Sequence, residues 1–427
     1  MTQNYLIPSV SGPLIDIPCT TGLREKWIGA MLDQTGRAYS GAFRLDFSSG
    51  CKPEKVLNAV VETFARHPVL AARFDIECDT LVGRAPSESM LYEILQLHLC
   101  TIQSGITDES FLAYRSKRAS EPGLRIASTM DDEGLHVWIG FWVFTCDGAS
   151  IDLLVEDIAH FYRGEPASSS RYWQEYARKE IFLTSKRVIS NRDKLAAYPE
   201  AGPYGIDALR ATSPGTIGQM QSIRFNSKIA RRKLYASAKA CRITPFVLLF
   251  SAFQHAISVV SGVTTIVTGV PFINRQRQHE HTIVGPVSTT VPVTTLHIPD
   301  EPFVTKLNQF QRAVIDAAGR QDIEPSALYP KGGSARTAAY ELPYPQLFNA
   351  WNSQREGVPI ALDESEFMVL HLLPNDTCRV GFEITLDEHT EYISGRFDLD
   401  INSYGKYTKE ILSQMIIILD DIILKKT

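Results

Sequence analysis

The feature that most constrains the fold is a long apolar stretch that ends in a polar loop and is followed by an amphipathic segment. Residues 135–144 form an almost unbroken run of aliphatic and aromatic side chains, which is typical of a strand buried on both faces. The loop at 145–148, Thr-Cys-Asp-Gly, ends this strand. A helix is then predicted, with Ser150 as its cap. Its apolar stripe consists of Ile151, Leu154, Val155, Ile158 and Phe161.

Strands and helices alternate along the rest of the chain, which favours an α/β fold. A chain of 427 residues is too long for one small core, and a polar stretch follows Gly164. We therefore predict two lobes, residues 1–170 and residues 171–427. The strands predicted elsewhere are 42–47, 69–75, 222–225, 265–270, 287–296, 346–351, 367–373 and 379–386. In the second half of the chain, one helix is predicted to start at Ser227, and three more are predicted at 244–260, 302–318 and 404–424.

Composition excludes several classes of function. The formal charge is −5 and no basic stripe alternates with aromatic residues, which argues against a nucleic-acid partner. The seven cysteines are scattered and show no metal-ligand spacing, so we expect no metal and a reducing compartment. The N-terminus lacks the pattern of a signal peptide, and the most apolar run, 415–419, is too short to span a bilayer. We expect a cytoplasmic monomer without a membrane partner.

Several segments resemble, in order along the chain, the motifs of the condensation domain family of nonribosomal peptide synthetases. In that family the buried strand ends in His-His-x-x-x-Asp-Gly, and here Asp147 and Gly148 match the last two positions. The two histidine positions fall on Trp142 and Val143. The other matching segments are 66–74, 172–177, 269–271, 274–275, 283–293, 321–325 and 345–348.

The resemblance implies two chloramphenicol-acetyltransferase-like lobes that form a V-shaped pseudo-dimer with a central tunnel. It also implies substrates that acyl or peptidyl carrier proteins supply as phosphopantetheine thioesters, and no cofactor bound by the chain itself. A structural salt bridge between Asp147 and Arg275 is part of the family pattern. The resemblance places Gly148, Ser288, Thr289 and Thr290 along the substrate tunnel, where the three hydroxyls either bind a thioester carbonyl or satisfy a strand. Trp351 and Asn352 lie at the end of the strand predicted at 346–351 and are assigned to the tunnel floor, with core packing as the alternative for Trp351.

Replacement of the two histidines would leave the motif without the family's proton-transfer group. Val143 has no lone pair and no exchangeable proton, and Trp142 has only a donor N–H. Asp147 is either a replacement acid or base or the buried partner of Arg275, and pairing with a guanidinium would make it a weak base. The structural interpretation is therefore favoured for Asp147. The neighbouring Cys146 is predicted to be a small buried thiol, because no histidine in the sequence pattern is directed at it.

Three functions stay open at this point. The first is a divergent condensation-type enzyme, expected to be free-standing because the chain begins with Met1 and carries no adenylation or carrier domain, that performs acyl transfer, amide or ester formation, or cyclisation. The second is a catalytically inactive module that binds carrier proteins or recruits a tailoring enzyme. The third, an acyltransferase using coenzyme A, is disfavoured by Val143 and by the missing late Asp-Phe-Gly-Trp-Gly motif. The basic run at 231–233 is predicted to be a solvated helix face that could receive an acidic carrier protein.

Overall fold

The computed structural model of the chain describes residues 13–33, 35–99, 102–113, 119–169, 173–190, 205–209, 219–297, 301–321, 344–350, 355–374, 377, 379–387 and 391–426. The chain divides into two compact units. The first unit contains Met1–Lys186, Ile273–Ser288 and Ser353–Asn375, and the second contains Arg187–Phe272, Thr289–Asn352 and Asp376–Thr427.

The described elements alternate between strands and helices, as the sequence predicts. In chain order they are β1 Leu14–Ile17, α1 Thr21–Leu32, β2 Ser40–Ser48, α2 Pro53–Ala65, β3 Arg73–Glu77, β4 Thr80–Pro86, α3 Glu88–Leu99, α4 Asp108–Ala113, β5 Arg125–Met130, β6 Gly134–Trp142, α5 Gly148–Arg163, α6 Trp173–Ser190, β7 Met220–Ala230, α7 Arg231–Ala240, α8 Pro245–Ser261, β8 Thr265–Phe272, β9 Thr289–Leu296, α9 Phe303–Ala318, β10 Gln346–Asn349, β11 Pro359–Ala361, β12 Phe367–Leu372, β13 Phe382–Asp387, β14 Tyr392–Asp400 and α10 Ile401–Lys426.

The first unit is built on a five-stranded antiparallel sheet with the strand order β11-β12-β2-β6-β5. All nine residues of β6 are buried, which confirms the prediction that this strand is covered on both faces. The apolar side of α5 packs against α2, and a smaller sheet with the order β1-β4-β3 belongs to the same unit. The loop at 145–148 therefore follows an interior strand of the sheet, β6, which pairs with β2 and β5.

The second unit is built on a six-stranded sheet with the order β7-β14-β13-β10-β8-β9. Its short strand β10 runs parallel to both β8 and β13, and the other pairs are antiparallel. Helix α8 buries an aromatic core against the sheet, where the ring centroids of Phe250 and Phe253 both lie 5.4 Å from that of Phe348. No single described helix has both the length and the apolar character needed to cross a membrane, but α7 and α8, bent by 94°, meet that test as a pair.

The two units do not follow the predicted boundary at residue 170. Residues 273–288 and 353–375 were assigned to the second lobe, yet they cluster with the first unit, as does the start of α6. Two interactions explain this. Strand β12 pairs with β2, placing Leu370 opposite Leu45, and Arg275 forms an ion pair with Asp147. Segments that are distant in sequence thus complete the first unit.

Several predicted elements were wrong at their ends, and three of them show why. The helix predicted from Ser227 begins at Arg231, because β7 continues its ladder with β14 as far as Ala230. The strand predicted at 69–75 begins at Arg73, since Pro68–Ala71 forms a short 3-10 helix. The strand predicted at 346–351 ends at Asn349.

A buried carboxylate on α5 ties together three segments of the first unit. Asp157 is fully buried, and its Oδ1 accepts hydrogen bonds from the backbone N–H groups of Ser168 and Ser169 at 2.7 and 3.0 Å. Its Oδ2 accepts from the hydroxyl of Ser169, whose oxygen lies 3.0 Å from Nε2 of His67. Because the Ser169 proton goes to Asp157, His67 must donate to Ser169 from Nε2. The end of α2 and the segment after α5 are held by the same carboxylate.

These contacts predict acid sensitivity. Burial alone would raise the pKa of Asp157, but the imidazole of His67 and the donors of Ser168 and Ser169 lower it to about 2. Burial also lowers the pKa of His67. A carboxyl with a depressed pKa contributes stability above its unfolded pKa of about 4 and loses it as pH falls toward the folded value. Protonation of His67 in the unfolded chain below about pH 6.5 acts in the same direction.

We expect Asp157→Asn to lower the free energy of unfolding at pH 7 by about 1–3 kcal/mol, because donors lose a charged acceptor. The variant should also lose less additional stability between pH 4 and pH 2 than the unaltered chain. Urea unfolding across this pH range measures both effects. Asp132→Asn, at an exposed turn, is the matched control. Equal acid sensitivity of the Asp157 variant and the unaltered chain would contradict the prediction.

Candidate functional site

Trp142 and Val143, the two positions that the motif resemblance matches to the family's histidines, have different surroundings. Trp142 is buried, its Nε1 donates to the carbonyl of Glu121 at 2.9 Å, and its ring stacks on Phe144 at 5.3 Å. A Cβ on Gly123 would lie 2.2 Å from the indole, so the two surfaces are in close contact. Trp142 is thus a packing residue whose donor is already used.

Val143 follows the last residue of β6 and keeps partial exposure, while Trp142 and Phe144 beside it are buried. Its backbone N–H donates to the carbonyl of Tyr39 at 2.8 Å, which fixes the main chain at this point. A side chain here is therefore held in a defined place and partly accessible. Valine fills that place with methyl groups only.

The loop after β6 folds back on the end of the strand. The backbone N–H groups of Thr145 and Cys146 donate to the carbonyl of Trp142 at 2.8 and 3.0 Å, and the Thr145 hydroxyl donates to the same oxygen at 2.9 Å. These bonds direct Asp147 to the start of α5. The prediction that Ser150 caps α5 was wrong, because Asp147 is the N-cap and accepts from the Ser150 N–H at 3.0 Å. A carboxylate satisfies the free N–H groups and also interacts favourably with the helix dipole.

Arg275 contacts Asp147 as the family resemblance implies. Both side chains are 2% exposed, and the guanidinium donates from two nitrogens to the two carboxylate oxygens at 2.9 and 3.0 Å. Arg275 also donates to the carbonyl of Ile283 at 3.0 Å. The planar guanidinium matches the carboxylate in two parallel bonds, which is the strong form of this pair.

Other donors complete the environment of Asp147. Its Oδ2 accepts from the backbone N–H of Ser288 at 2.8 Å, and its Oδ1 lies 2.7 Å from the Ser150 hydroxyl. The Ser150 oxygen in turn accepts from the N–H of Gly285 at 3.0 Å. With φ at +155°, Gly285 lies so close to Trp173 that a Cβ would come within 2.3 Å of its ring. The Asp147 carboxylate is therefore enclosed by donors.

The electrostatics of the loop follow from these contacts. Burial alone would raise the pKa of Asp147, but the charge and hydrogen bonds of Arg275, helped by Lys26 and Ser150, hold that pKa below its ordinary value. The carboxyl stays ionised and has little tendency to accept a proton. Burial raises the pKa of the Cys146 thiol well above its usual range, so this cysteine is not an activated nucleophile.

Lys26 is a neighbour that the sequence did not single out. Its ammonium donates to the carbonyl of Ser288 at 2.6 Å and lies 3.3 Å from the Ser288 hydroxyl. The two residues are separated by 262 positions, and no motif links them. Lys26 lies on α1, which the sequence analysis did not delineate, so nothing in the sequence pattern pointed to it.

The remaining predicted site residues are spread over both units. Gly148 is the half-buried first residue of α5. Thr289 and Thr290 begin β9, where they pair with Phe272 and Pro271. Trp351 and Asn352 lie outside the described residues. Within the described ranges no cluster of three or more histidine, cysteine, aspartate or glutamate side chains has the geometry of a metal site.

Comparison with known proteins identifies the family. A sequence profile described as the condensation domain matches residues 23–348. The chain is 21% identical over 398 residues to surfactin synthase subunit 1 of Bacillus subtilis (strain 168), an alignment that covers 88% of this chain and 11% of that protein. It is 29% identical over 224 residues to the beauvericin nonribosomal cyclodepsipeptide synthetase of Beauveria bassiana, covering 49% and 7% respectively. The chain thus spans a small part of these relatives.

Solved structures show the same fold over nearly the whole chain. The condensation domain of the monacolin K polyketide synthase MokA superposes with a TM-score of 0.72 at 12% identity and covers 97% of this chain and 98% of that one. The first condensation domain of the calcium-dependent antibiotic synthetase gives a TM-score of 0.69 at 16% identity, covering 96% of each chain. These likenesses confirm the fold class expected from the motifs. Together with the profile match over most of its length, they establish that the chain belongs to the condensation domain family.

Proposed function

We propose that this chain acts in nonribosomal-peptide or hybrid polyketide biosynthesis on acyl or peptidyl groups carried as phosphopantetheine thioesters, without a catalytic histidine. The observation that carries this proposal is Val143. The motif resemblance matches Val143 to the family's second histidine. Its main chain is hydrogen-bonded in place and its side chain is partly accessible. In this proposal the hydrogen-bonded framework around Asp147 is kept, while methyl groups stand in place of the family's proton-transfer group.

The reaction best suited to such a site is acyl transfer that depends on positioning. An amine or hydroxyl attacks the thioester carbonyl, the C–S bond breaks, and the proton from the nucleophile passes to water or to the departing thiolate. Holding two reactants in attack geometry contributes roughly 7–11 kcal/mol, whereas a general base contributes about 10²- to 10⁴-fold, or roughly 3–5 kcal/mol. Positioning therefore leaves a slower but real catalyst, provided that the nucleophile arrives unprotonated.

Asp147 has a structural role in this proposal. A carboxylate that is buried, paired with Arg275 and held ionised is a poor proton acceptor. It is better suited to fix the loop that presents Val143 and to anchor α5. Trp142 belongs to the same framework, because its indole N–H is bonded to Glu121.

The same observation at Val143 also favours a second function. A condensation-like module without chemistry would bind a loaded carrier protein or recruit a tailoring enzyme to it. Intact mass measurements separate the two functions. The purified chain is mixed with carrier proteins loaded with a donor acyl group and an acceptor amine, and the mass of each carrier is followed with time. Product above the uncatalysed background supports the enzyme, and binding without product supports the module.

Restoring a histidine is the most direct test of the missing group. We expect Val143→His to raise the single-turnover rate of amide formation at neutral pH by about 10²- to 10⁴-fold, because the imidazole accepts the amine proton. Val143→Ala is the control, since it changes the volume without adding a base, and it should leave the rate within about threefold. If Val143→His has no more effect than Val143→Ala, the missing histidine is not what limits the reaction.

The structural role of Asp147 gives a separate stability prediction. Asp147→Asn and Arg275→Met should each lower the free energy of unfolding by about 3–5 kcal/mol, because each leaves a buried group without its charged partner. The double variant should lose less than the sum of the two. Denaturant unfolding measures these values.

Arg277→Met is the control within the same segment. Arg277 pairs with Glu280 but is 44% exposed, so its loss should cost under about 1 kcal/mol. An Asp147→Asn variant that keeps its stability but forms no product would show that the carboxylate takes part in the chemistry instead.

A further inference from the structure

Helix α7 carries an unusual charge for this chain. The whole chain has more acidic than basic residues, 48 against 43, yet residues 228–243 contain six basic residues and no acidic one. Five of these cations are exposed, and none of them forms an ion pair within the described part of the chain. We call these residues the basic face: Lys228 near the end of β7, Arg232, Lys233 and Lys239 on α7, and Arg242 just after α7.

The positive charges at the N-terminus of α7 lower the stability of the helix. Arg231, Arg232 and Lys233 occupy the first turn, where the helix dipole favours negative charge. The N-cap is Ala230, which has no side-chain acceptor for the free N–H groups, and the first turn contains no acidic residue. A surface helix selected only for stability would have the opposite arrangement.

The C-terminal end shows a second conflict of the same kind. Arg242 has φ of +58°, in the left-handed region where glycine is favoured and other residues are strained. The turn that requires this conformation closes with the N–H of Ile243 donating to the carbonyl of Ala238 at 3.1 Å. An arginine thus occupies a position whose left-handed backbone conformation is unfavourable for any residue with a Cβ atom. Local rules broken together at one surface indicate a function there.

The centre of the basic face has the composition of a docking surface. Tyr235 is 50% exposed between the charged residues, and Ala236 and Ala240 beside it allow a partner to approach closely. The opposite side of the helix is buried through Leu234, Ser237 and Ala238. Tyrosine and arginine are both enriched in protein interfaces, and Tyr235, Arg232 and Arg242 are exposed here.

We propose that the basic face of α7 docks an acidic surface of a partner protein, and that this partner is a carrier protein. The choice of a carrier protein rests on the function proposed above, while the acidic character of the partner follows from the charge of the face. Complementary charge speeds association and selects partners, and it is screened by salt. The contact therefore acts mainly on encounter and loses strength as ionic strength rises.

Direct binding tests the proposal without reference to product formation. A labelled, strongly acidic holo peptidyl carrier protein is titrated with the full chain at about 50 mM and about 300 mM salt, on either side of the physiological screening range. We expect saturable binding that weakens at high salt. The triple variant Arg232→Gln, Lys233→Gln, Lys239→Gln should bind about tenfold or more weakly at low salt, through slower association. Its melting temperature should equal that of the unaltered chain or exceed it.

A second triple variant removes the same charge elsewhere. Lys52→Gln, Arg73→Gln, Lys179→Gln changes three exposed cations outside α7 and should alter binding less than about twofold. Equal weakening by both triple variants, or no saturable binding by the unaltered chain, overturns the proposal. Binding to anionic lipid vesicles without binding to the carrier also overturns it and identifies a membrane surface as the partner.

Arg242 separates docking from folding. Arg242→Gly relieves the left-handed arginine, so its melting temperature should stay the same or rise while carrier binding weakens. Arg242→Lys should keep the binding. If Arg242→Gly leaves binding unchanged, the arginine is not part of the surface. The product measurement made on the same samples is independent, because intact binding without product rejects the proposed reaction and leaves the docking surface standing.

Discussion

The local structure of the candidate site depends on the bidentate ion pair between Asp147 and Arg275. The carboxylate caps α5, accepts from the backbone of Ser288 and neutralises a buried guanidinium. Arg275 comes from a segment 128 positions later and fastens that segment to the motif loop. Because a charge buried without its partner is costly, the loop and the later segment keep their arrangement together. This structural role accounts for an aspartate at position 147 without any part for it in proton transfer.

The sequence predicted the parts of this arrangement that follow local rules. A run of apolar residues at 135–144 gave a strand buried on both faces, and the spacing of Ile151 to Phe161 gave α5. The pairing of Asp147 with Arg275 came from family motifs, since no local pattern connects residues so far apart. The same reasoning placed the cap on Ser150, because serine is a common N-cap, and missed that the carboxylate of Asp147, three residues earlier, accepts from the Ser150 N–H and so begins the helix sooner.

Long-range contacts were beyond prediction from this sequence. Strand β12 joins the sheet of the first unit through β2, although more than 300 residues separate the two strands. Nothing in the residues of β12 distinguishes the sheet it will join, so the linear boundary at 170 placed it in the second lobe. Lys26 was missed for a related reason, because its significance comes from the Ser288 carbonyl it contacts and not from its neighbours on α1.

Two places in the chain carry residues that their surroundings do not favour. At the first the residue is unsuited to catalysis, and at the second the residues are unsuited to a stable helix. At Val143, the position that the motif resemblance matches to a catalytic histidine contains a residue suited only to packing. The first turn of α7 carries cations with no side-chain cap and no acidic residue, and Arg242, just after the helix, holds a conformation suited to glycine. In a protein selected only for its fold, the cations of α7 and Arg242 would be replaced, because neutral or acidic residues in the first turn and a glycine at position 242 would stabilise the helix. Taken together, the two proposals describe a protein in which delivery of a bound substrate matters more than the rate of its conversion.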